Sequence, residues 1–195
     1  MTPVIWLLGL SGSGKTALGS LLRLYLEGQG IKTDFIDEGR FCRQADIAPE
    51  TRTTAVDALR DHVLQQHAQD RVCVVAATTP YDCMRQKNRE ILPLYHEVWV
   101  RCSLQTLVDR DTRGLYAKAG HTHITGLCGL TDTFDEPRHA DHVIDTDHHN
   151  LVESYLLLRD FALNALDGAR RWGRMGQMLP ESPLAVTSQH HSFAF

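Results

Sequence analysis

Val4-Ile5-Trp6-Leu7-Leu8-Gly9-Leu10-Ser11-Gly12-Ser13-Gly14-Lys15-Thr16 is the stretch that decides the fold. Its apolar run has no alternation, which marks a strand buried on both faces of a parallel sheet. The run opens into Gly-x-x-x-x-Gly-Lys-Thr, after which Leu18, Leu21, Leu22 and Leu26 recur at helical spacing until Gly28 and Gly30. Strand, glycine-rich turn and helix in that order make a phosphate-binding loop. The glycines let backbone N–H groups turn inward onto phosphate oxygens, and the helix adds the positive end of its dipole. Gly9, Ser11, Gly12, Ser13, Gly14, Lys15, Thr16 and Ala17 are therefore candidate nucleotide-binding residues. Lys15 reaches the β- and γ-oxygens of ATP, and the Thr16 hydroxyl is placed to ligate Mg²⁺.

Working outward, Thr33-Asp34-Phe35-Ile36 is a second strand that delivers Asp37 to its carboxyl end. A helix is predicted over Thr51 to Gln69, with Val56, Leu59, Val63 and Leu64 on one face. A strand follows over Arg71 to Ala77, then a helix over Asp82 to Leu92 and a strand over Glu97 to Cys102. Ser103 caps a helix to Asp111, His142 to Asp145 is a last strand, and Asn150 caps a final helix through Leu166. Short apolar strands alternating with helices predict an α/β P-loop NTPase fold, a doubly wound parallel sheet of about five strands flanked by helices. The expected division is a kinase domain over residues 1–167 with a lid near 110–129, and a C-terminal tail over 168–195.

Composition narrows the class. A chain of 195 residues with 43% hydrophobic residues suits one globular domain. The net charge of −4 speaks against a broad nucleic-acid surface. Five scattered cysteines without a Cys-x-x-Cys pair fit a reduced compartment. No apolar segment is long enough to span a bilayer, so a soluble, cytoplasmic protein is expected, without membrane or nucleic-acid partners. His121, His123, His148, His149, His190 and His191 show no metal-ligand spacing and read as surface histidines. Arg170-Arg171-Trp172-Gly173-Arg174 is basic and aromatic, and suits either a partner or a solvated extension.

Asp37 is the second anchor, because open parallel sheets bind ligands at the carboxyl ends of strands. A carboxylate there can hold Mg²⁺ or accept the proton of an attacking hydroxyl, and the sequence leaves open whether Asp37 or Glu38 points inward. Arg110, Arg113 and Lys118 place three cations in nine residues, which suits a lid that closes over transferred phosphate or a solvated helix end. A GTPase would carry an Asn-Lys-x-Asp element, and Gln86-Lys87-Asn88-Arg89 does not fit it. The kinase reading leads.

Four blocks in order resemble the adenylylsulfate kinases, which phosphorylate the 3′-hydroxyl of adenosine 5′-phosphosulfate. They are Gly9 to Thr16; Thr79-Pro80-Tyr81 with Arg85; Arg110-Asp111-Thr112-Arg113-Gly114-Leu115-Tyr116 with Lys118-Ala119; and Ile124-Thr125-Gly126-Leu127 followed by Phe134-Asp135-Glu136-Pro137 and Val143-Ile144-Asp145-Thr146. The resemblance implies ATP and Mg²⁺, a hydroxyl acceptor, a place in sulfate assimilation and a homodimer. It places Arg110 against the adenine of ATP, Lys118 in the lid over the second substrate, and Pro80, Tyr81 and Arg85 around the acceptor pocket. Lys15, Asp37 and Lys118 are then the catalytic candidates, with Thr16 and Asp37 at the metal.

The chain departs from the family pattern on the acceptor side. Where the family carries Asp-Gly-Asp-Asn, this chain reads Asp37-Glu38-Gly39-Arg40, so the second Asp is lost. The asparagine and paired arginines that follow in the family are absent, and only Arg52 matches. Each lost charge-assisted contact costs about 1.5–3 kcal/mol, which Arg40, Arg43 or Arg52 must replace. The expected acceptor is adenylylsulfate or a related nucleotide-linked small anion. The alternatives are a different metabolite from a specialised pathway, or a catalytically reduced nucleotide-binding regulatory module.

Overall fold

A computed structural model describes residues 1–41, 49–111, 114–117 and 126–178, with side chains to Arg171 and without that of Pro49. In chain order the elements are β1 (Val4–Leu8), α1 (Lys15–Gly28), β2 (Thr33–Asp37), a 3₁₀ turn (Glu38–Arg40), α2 (Pro49–His67) and β3 (Val72–Ala76). They continue with α3 (Asp82–Ile91), β4 (Tyr95–Arg101), α4 (Leu104–Arg110), β5 (His142–Asp145) and α5 (Leu151–Met178). The described strands form one sheet in the order β2-β3-β1-β4-β5, every pair parallel. This is the expected doubly wound arrangement, and it puts β1 at the centre with the phosphate loop leaving its carboxyl end.

Side chains of a strand alternate between faces, so β1 serves two cores at once. Ile5 and Leu7 pack with Leu18, Leu22 and Leu26 of α1 and Leu158, Ala162 and Leu166 of α5. Val4, Trp6 and Leu8 pack on the other face with Val56, Leu59 and Val63 of α2 and Met84 of α3. A third, smaller cluster of Cys102, Leu107, Tyr116 and Leu127 sits beside the loop and includes Leu10. Gly19 lets α1 lie close on β2, because a Cβ there would come within 2.4 Å of the Phe35 ring.

The caps read from sequence are present. Ser103 Oγ accepts from Thr106 N, and Asn150 Oδ1 accepts from Val152 N and Glu153 N while Glu153 Oε2 accepts from Asn150 N. One boundary differs. The final helix was expected to stop at Leu166, with a tail from Gly168, but α5 continues to Met178. Ala162, Ala165, Leu166 and Ala169 are all buried at helical spacing, and this packing outweighs the roughly 1 kcal/mol that Gly168 costs a helix interior. The remainder of the expected tail, residues 179–195, lies outside the described residues.

Candidate active site

The loop after β1 is held in a conformation that only glycine tolerates at two points. Gly9 has φ 145°, and a Cβ on it would sit 2.3 Å from Val100 O of β4. Gly14, at φ 105°, caps α1 and turns the chain into the helix. Lys15 is buried, and its Nζ donates to Gly9 O and Leu10 O, both at 2.8 Å, which keeps the ammonium over the loop. Ser13 Oγ is buried and has no hydrogen-bond partner among the described residues, so it has bonding capacity left.

Thr16 is exposed at the first turn of α1, and its Oγ1 donates to Asp37 Oδ2 at 2.7 Å. Asp37 Oδ1 accepts from Gly39 N at 2.8 Å, so the turn Glu38–Arg40 aims the carboxylate at the loop. Of the two acidic residues, Asp37 is the one bonded to the Thr16 hydroxyl. Glu38 is bonded to Thr78 instead, its Oε2 accepting from Thr78 N at 2.7 Å and Thr78 Oγ1 at 2.8 Å, and its buried Oε1 has no hydrogen-bond partner among the described residues.

A cavity of about 260 Å³ lies over the loop, lined by Gly12, Gly14, Lys15, Thr16 and Ala17 below and by Leu107, Arg110, Asp111, Leu115 and Tyr116 above. A second chamber of about 180 Å³ shares Gly12, Gly14 and Arg110 with it and extends to Thr146, His149, Asn150 and Ser154. Arg110 donates to Thr146 O at 2.7 Å, so its guanidinium is fixed between the two chambers. Asp111 accepts from Leu115 N and Ala117 N and folds the following turn back, where the Tyr116 hydroxyl donates to Ser11 O at 2.6 Å. Burial pushes the Tyr116 phenol up to about 12, so it stays a donor.

The segment after β3 leads from the carboxyl end of that strand into α3. Thr79 is fully buried at φ 42°, a region β-branched residues avoid, and its Oγ1 accepts from Trp6 Nε1 at 2.8 Å. Pro80 is buried beside it. Tyr81 donates through its hydroxyl to Asp132 Oδ2 at 2.8 Å, and burial first, then that carboxylate, pushes its phenol up to about 12. Arg52 is buried and donates to Gly126 O at 2.6 Å, with Asp132 Oδ2 3.7 Å away.

Lys15, Thr16, Ala17 and Arg110 thus line one cavity, and Asp37 is joined to it through the Thr16 hydroxyl. Arg40 is exposed at the end of the 3₁₀ turn. Arg85 does not line that cavity: it is buried, with its guanidinium on Thr79 O, Pro80 O and Asp82 Oδ1. Arg43, Arg113 and Lys118 lie outside the described residues, as do His121 and His123. Among the described residues no three His, Cys, Asp or Glu side chains gather as a metal cluster.

A family model for adenylylsulphate kinase matches residues 1–145. The chain belongs to the adenylylsulphate kinase family. It is accordingly a kinase of that type, a nucleotide-binding phosphotransferase with an alcohol group as acceptor. An adenylyl-sulfate kinase of Paraburkholderia xenovorans is 37% identical over 150 residues, 74% of this chain and 83% of that protein. A cytidine diphosphoramidate kinase of Campylobacter jejuni is 30% identical over 174 residues, 82% of this chain and 96% of that one. The Mycobacterium tuberculosis APS kinase CysC, solved with AMPPNP and APS, has the same fold at a TM-score of 0.72 and 22% identity, over 87% of this chain and 98% of that one.

Glu38, Thr78, Asp132 and Tyr116 were not singled out from sequence as holding the site together. Glu38–Thr78 and Arg52–Asp132 join residues far apart in the chain, and no local spacing announces such pairs. Tyr116 had a usable signal, since it ends the Arg110-to-Tyr116 block of the adenylylsulphate kinase pattern.

Proposed function

We propose that the chain transfers the γ-phosphoryl of ATP to a hydroxyl of a small nucleotide-linked anion, adenylylsulfate or a close chemical relative. The observation that carries this is the 2.7 Å bond between Thr16 Oγ1 and Asp37 Oδ2, beneath the cavity that Lys15 and Arg110 line. A hydroxyl and a carboxylate in contact are the hard oxygen donors that magnesium takes, so these residues fit the ion and would hold it. These residues would hold the ion where it would offset the negative charge of the phosphates.

The chain's own residues then have separable tasks. The loop amides and Lys15 bind the β- and γ-phosphates and fix the line of transfer. Arg110, anchored on Thr146 O, braces the nucleoside side of the cavity. Asp37 accepts the proton of the acceptor hydroxyl as its oxygen attacks phosphorus. Tyr116 ties the turn above the cavity to Ser11 and limits the entry of water. Lys118 and Arg113 lie outside the described residues, and the family resemblance alone assigns their charge to the transferred phosphoryl.

A second acceptor reading is a nucleoside diphosphoramidate. It is favoured by the Campylobacter jejuni relative, which covers more of this chain than the adenylyl-sulfate kinase of Paraburkholderia xenovorans does. The test is an acceptor screen with ATP, Mg²⁺, adenylylsulfate and nucleoside diphosphoramidates, with Lys15→Ala as the control. Transfer to at least one acceptor, reduced by about 10³-fold in Lys15→Ala, is expected. ADP release that no acceptor accelerates and that Lys15→Ala leaves unchanged would sink the proposal.

A further inference from the structure

Arg110 is an exposed side chain at the end of a short helix, yet it lines both chambers above the phosphate loop. A long side chain in water keeps its rotamer freedom unless bonds remove it, so its place in the site has to be held. Side chains of a helix lean toward the helix N-terminus, and Arg110 runs back along α4 in that direction. Its Nη1 donates to Cys102 Sγ at 3.7 Å, just ahead of α4, and its Nη2 donates to Thr146 O at 2.7 Å, just beyond β5. The two acceptors therefore belong to the segments that leave β4 and β5, which are neighbours in the sheet.

The guanidinium is only as well placed as those two segments are relative to each other. Backbone pairing joins them as far as Thr146, whose N and Oγ1 donate to Arg101 O at 2.9 and 3.1 Å. Asp147 extends the hold one residue further. Its Oδ1 accepts from Cys102 Sγ at 3.2 Å and from Ser103 N at 3.1 Å, and its Oδ2 accepts from Ser103 N at 3.0 Å. The Cys102 thiol thus accepts from Arg110 and donates to Asp147, a relay from cation to carboxylate through one buried sulfur. The turn after β5 fixes the carboxylate in its place, since Asp147 N donates to Asp145 Oδ1 at 2.9 Å. Burial works to raise the Asp147 carboxyl, but bonds from Thr106, Cys102 and Ser103 hold it down at about 2. It is therefore charged near neutral pH, and charge-assisted bonds are the stronger kind.

We infer that Asp147 is a positioning residue for the donor nucleotide, acting through Cys102 on Arg110. Asp147 does not line either chamber over the phosphate loop; it lines a separate hollow with Cys102, Ser103 and Leu10. Its effect on the nucleotide is accordingly indirect. It presets the guanidinium on the nucleoside side, so that binding does not have to order a free side chain. The phosphates are held separately, by the loop amides and Lys15. The inference rests on the kinase reading for the nucleotide that Arg110 meets, and the acceptor does not enter it.

A double-mutant cycle on the full chain tests this, with Asp147→Ala, Arg110→Ala and the two combined. The dissociation constant of ADP with Mg²⁺ is measured by calorimetry, and that of inorganic tripolyphosphate by its displacement of ADP. Asp147→Ala should weaken ADP by about tenfold and tripolyphosphate, which has no nucleoside, by less than about twofold. In the Arg110→Ala background the same substitution should change ADP affinity by less than about twofold, because the group it positions is gone. Cys102→Ala cuts the relay at the sulfur and should weaken ADP selectively in the same way; it carries the cycle if Asp147→Ala does not fold. A merely structural role would weaken both ligands alike and would persist without Arg110. Equal loss for ADP and tripolyphosphate, an undiminished loss in the Arg110→Ala background, or an ADP affinity unmoved by either variant overturns the inference. The readout is binding and stands apart from turnover. An ADP-selective loss in a chain that transfers phosphoryl to no acceptor refutes only the kinase reading, and phosphoryl transfer with ADP affinity indifferent to Asp147 refutes only this one.

Discussion

Replacing Asp37 by Asn separates the chemical role of this carboxylate from its structural one. Asp37 makes two hydrogen bonds, to Thr16 Oγ1 at 2.7 Å and from Gly39 N at 2.8 Å, and both are exposed to solvent. The amide oxygen of Asn can still accept from Gly39 N, so only the bond to Thr16 is altered. One charge-assisted bond in contact with water is worth about 1 kcal/mol, or a fall in melting temperature of roughly 2–4 °C in a domain of this size. The kinetic effect should be far larger. An amide cannot take the acceptor's proton and binds magnesium weakly, so kcat should fall by about 10²–10⁴. The Mg²⁺ concentration giving half-maximal rate should rise with it. A coupled assay for ADP release, run across Mg²⁺ concentrations beside a thermal melt, reads both quantities. A variant that melts as expected yet keeps kcat within about threefold of wild type, under 1 kcal/mol of barrier, refutes both assignments for Asp37.

Gly129→Ala should destabilise the fold by about 1–3 kcal/mol. The position has φ 86°, and a Cβ there would lie 2.9 Å from both methyl carbons of Leu10 in the phosphate loop, so a thermal melt and the KM for ATP should move together. Stability should also fall in strong alkali. Tyr81 and Tyr116 are pushed up to about 12, so the neutral phenol is the form the fold favours. Their contribution is full below the ordinary tyrosine value near ~10 and is lost as pH rises from there through about 12. Urea unfolding at pH 8 and 11 should show the drop, and Tyr116→Phe should show less of it.

What the sequence made legible was whatever a short window encodes. The run Val4–Leu8, the glycines after it and the leucine spacing of α1 are neighbours in the chain, and each constrains the same few turns of backbone. Asp37 was legible because a strand end fixes where the next side chain sits, and the caps at Ser103 and Asn150 because a cap bonds within three residues of itself. The length of α5 was not, because Gly168 has low helix propensity and the burial of Ala165 and Ala169 is decided by elements elsewhere in the chain. The hydrogen bonding of Arg85 was hidden for a related reason. A sequence shows a cation near the acceptor block, while the structure shows its guanidinium already committed to Thr79 O and Pro80 O. The pairing of Arg52 with Asp132 joins two segments that no local pattern relates, and it changes the meaning of a residue that sequence alone reads as an anion grip.

The bond from Trp6 to Thr79 has a bearing on how this enzyme tolerates change. Trp6 is a core residue by every ordinary criterion, fully buried in the central strand. Its indole N–H nevertheless holds a residue in a disfavoured backbone conformation, at the corner from which Pro80 and Tyr81 hang. Redesign of the acceptor side proposed for Pro80 and Tyr81 therefore begins one layer beneath those two residues. A library that treats position 6 as interchangeable hydrophobic bulk would discard enzymes whose chemistry is intact and whose wall has merely lost its hook.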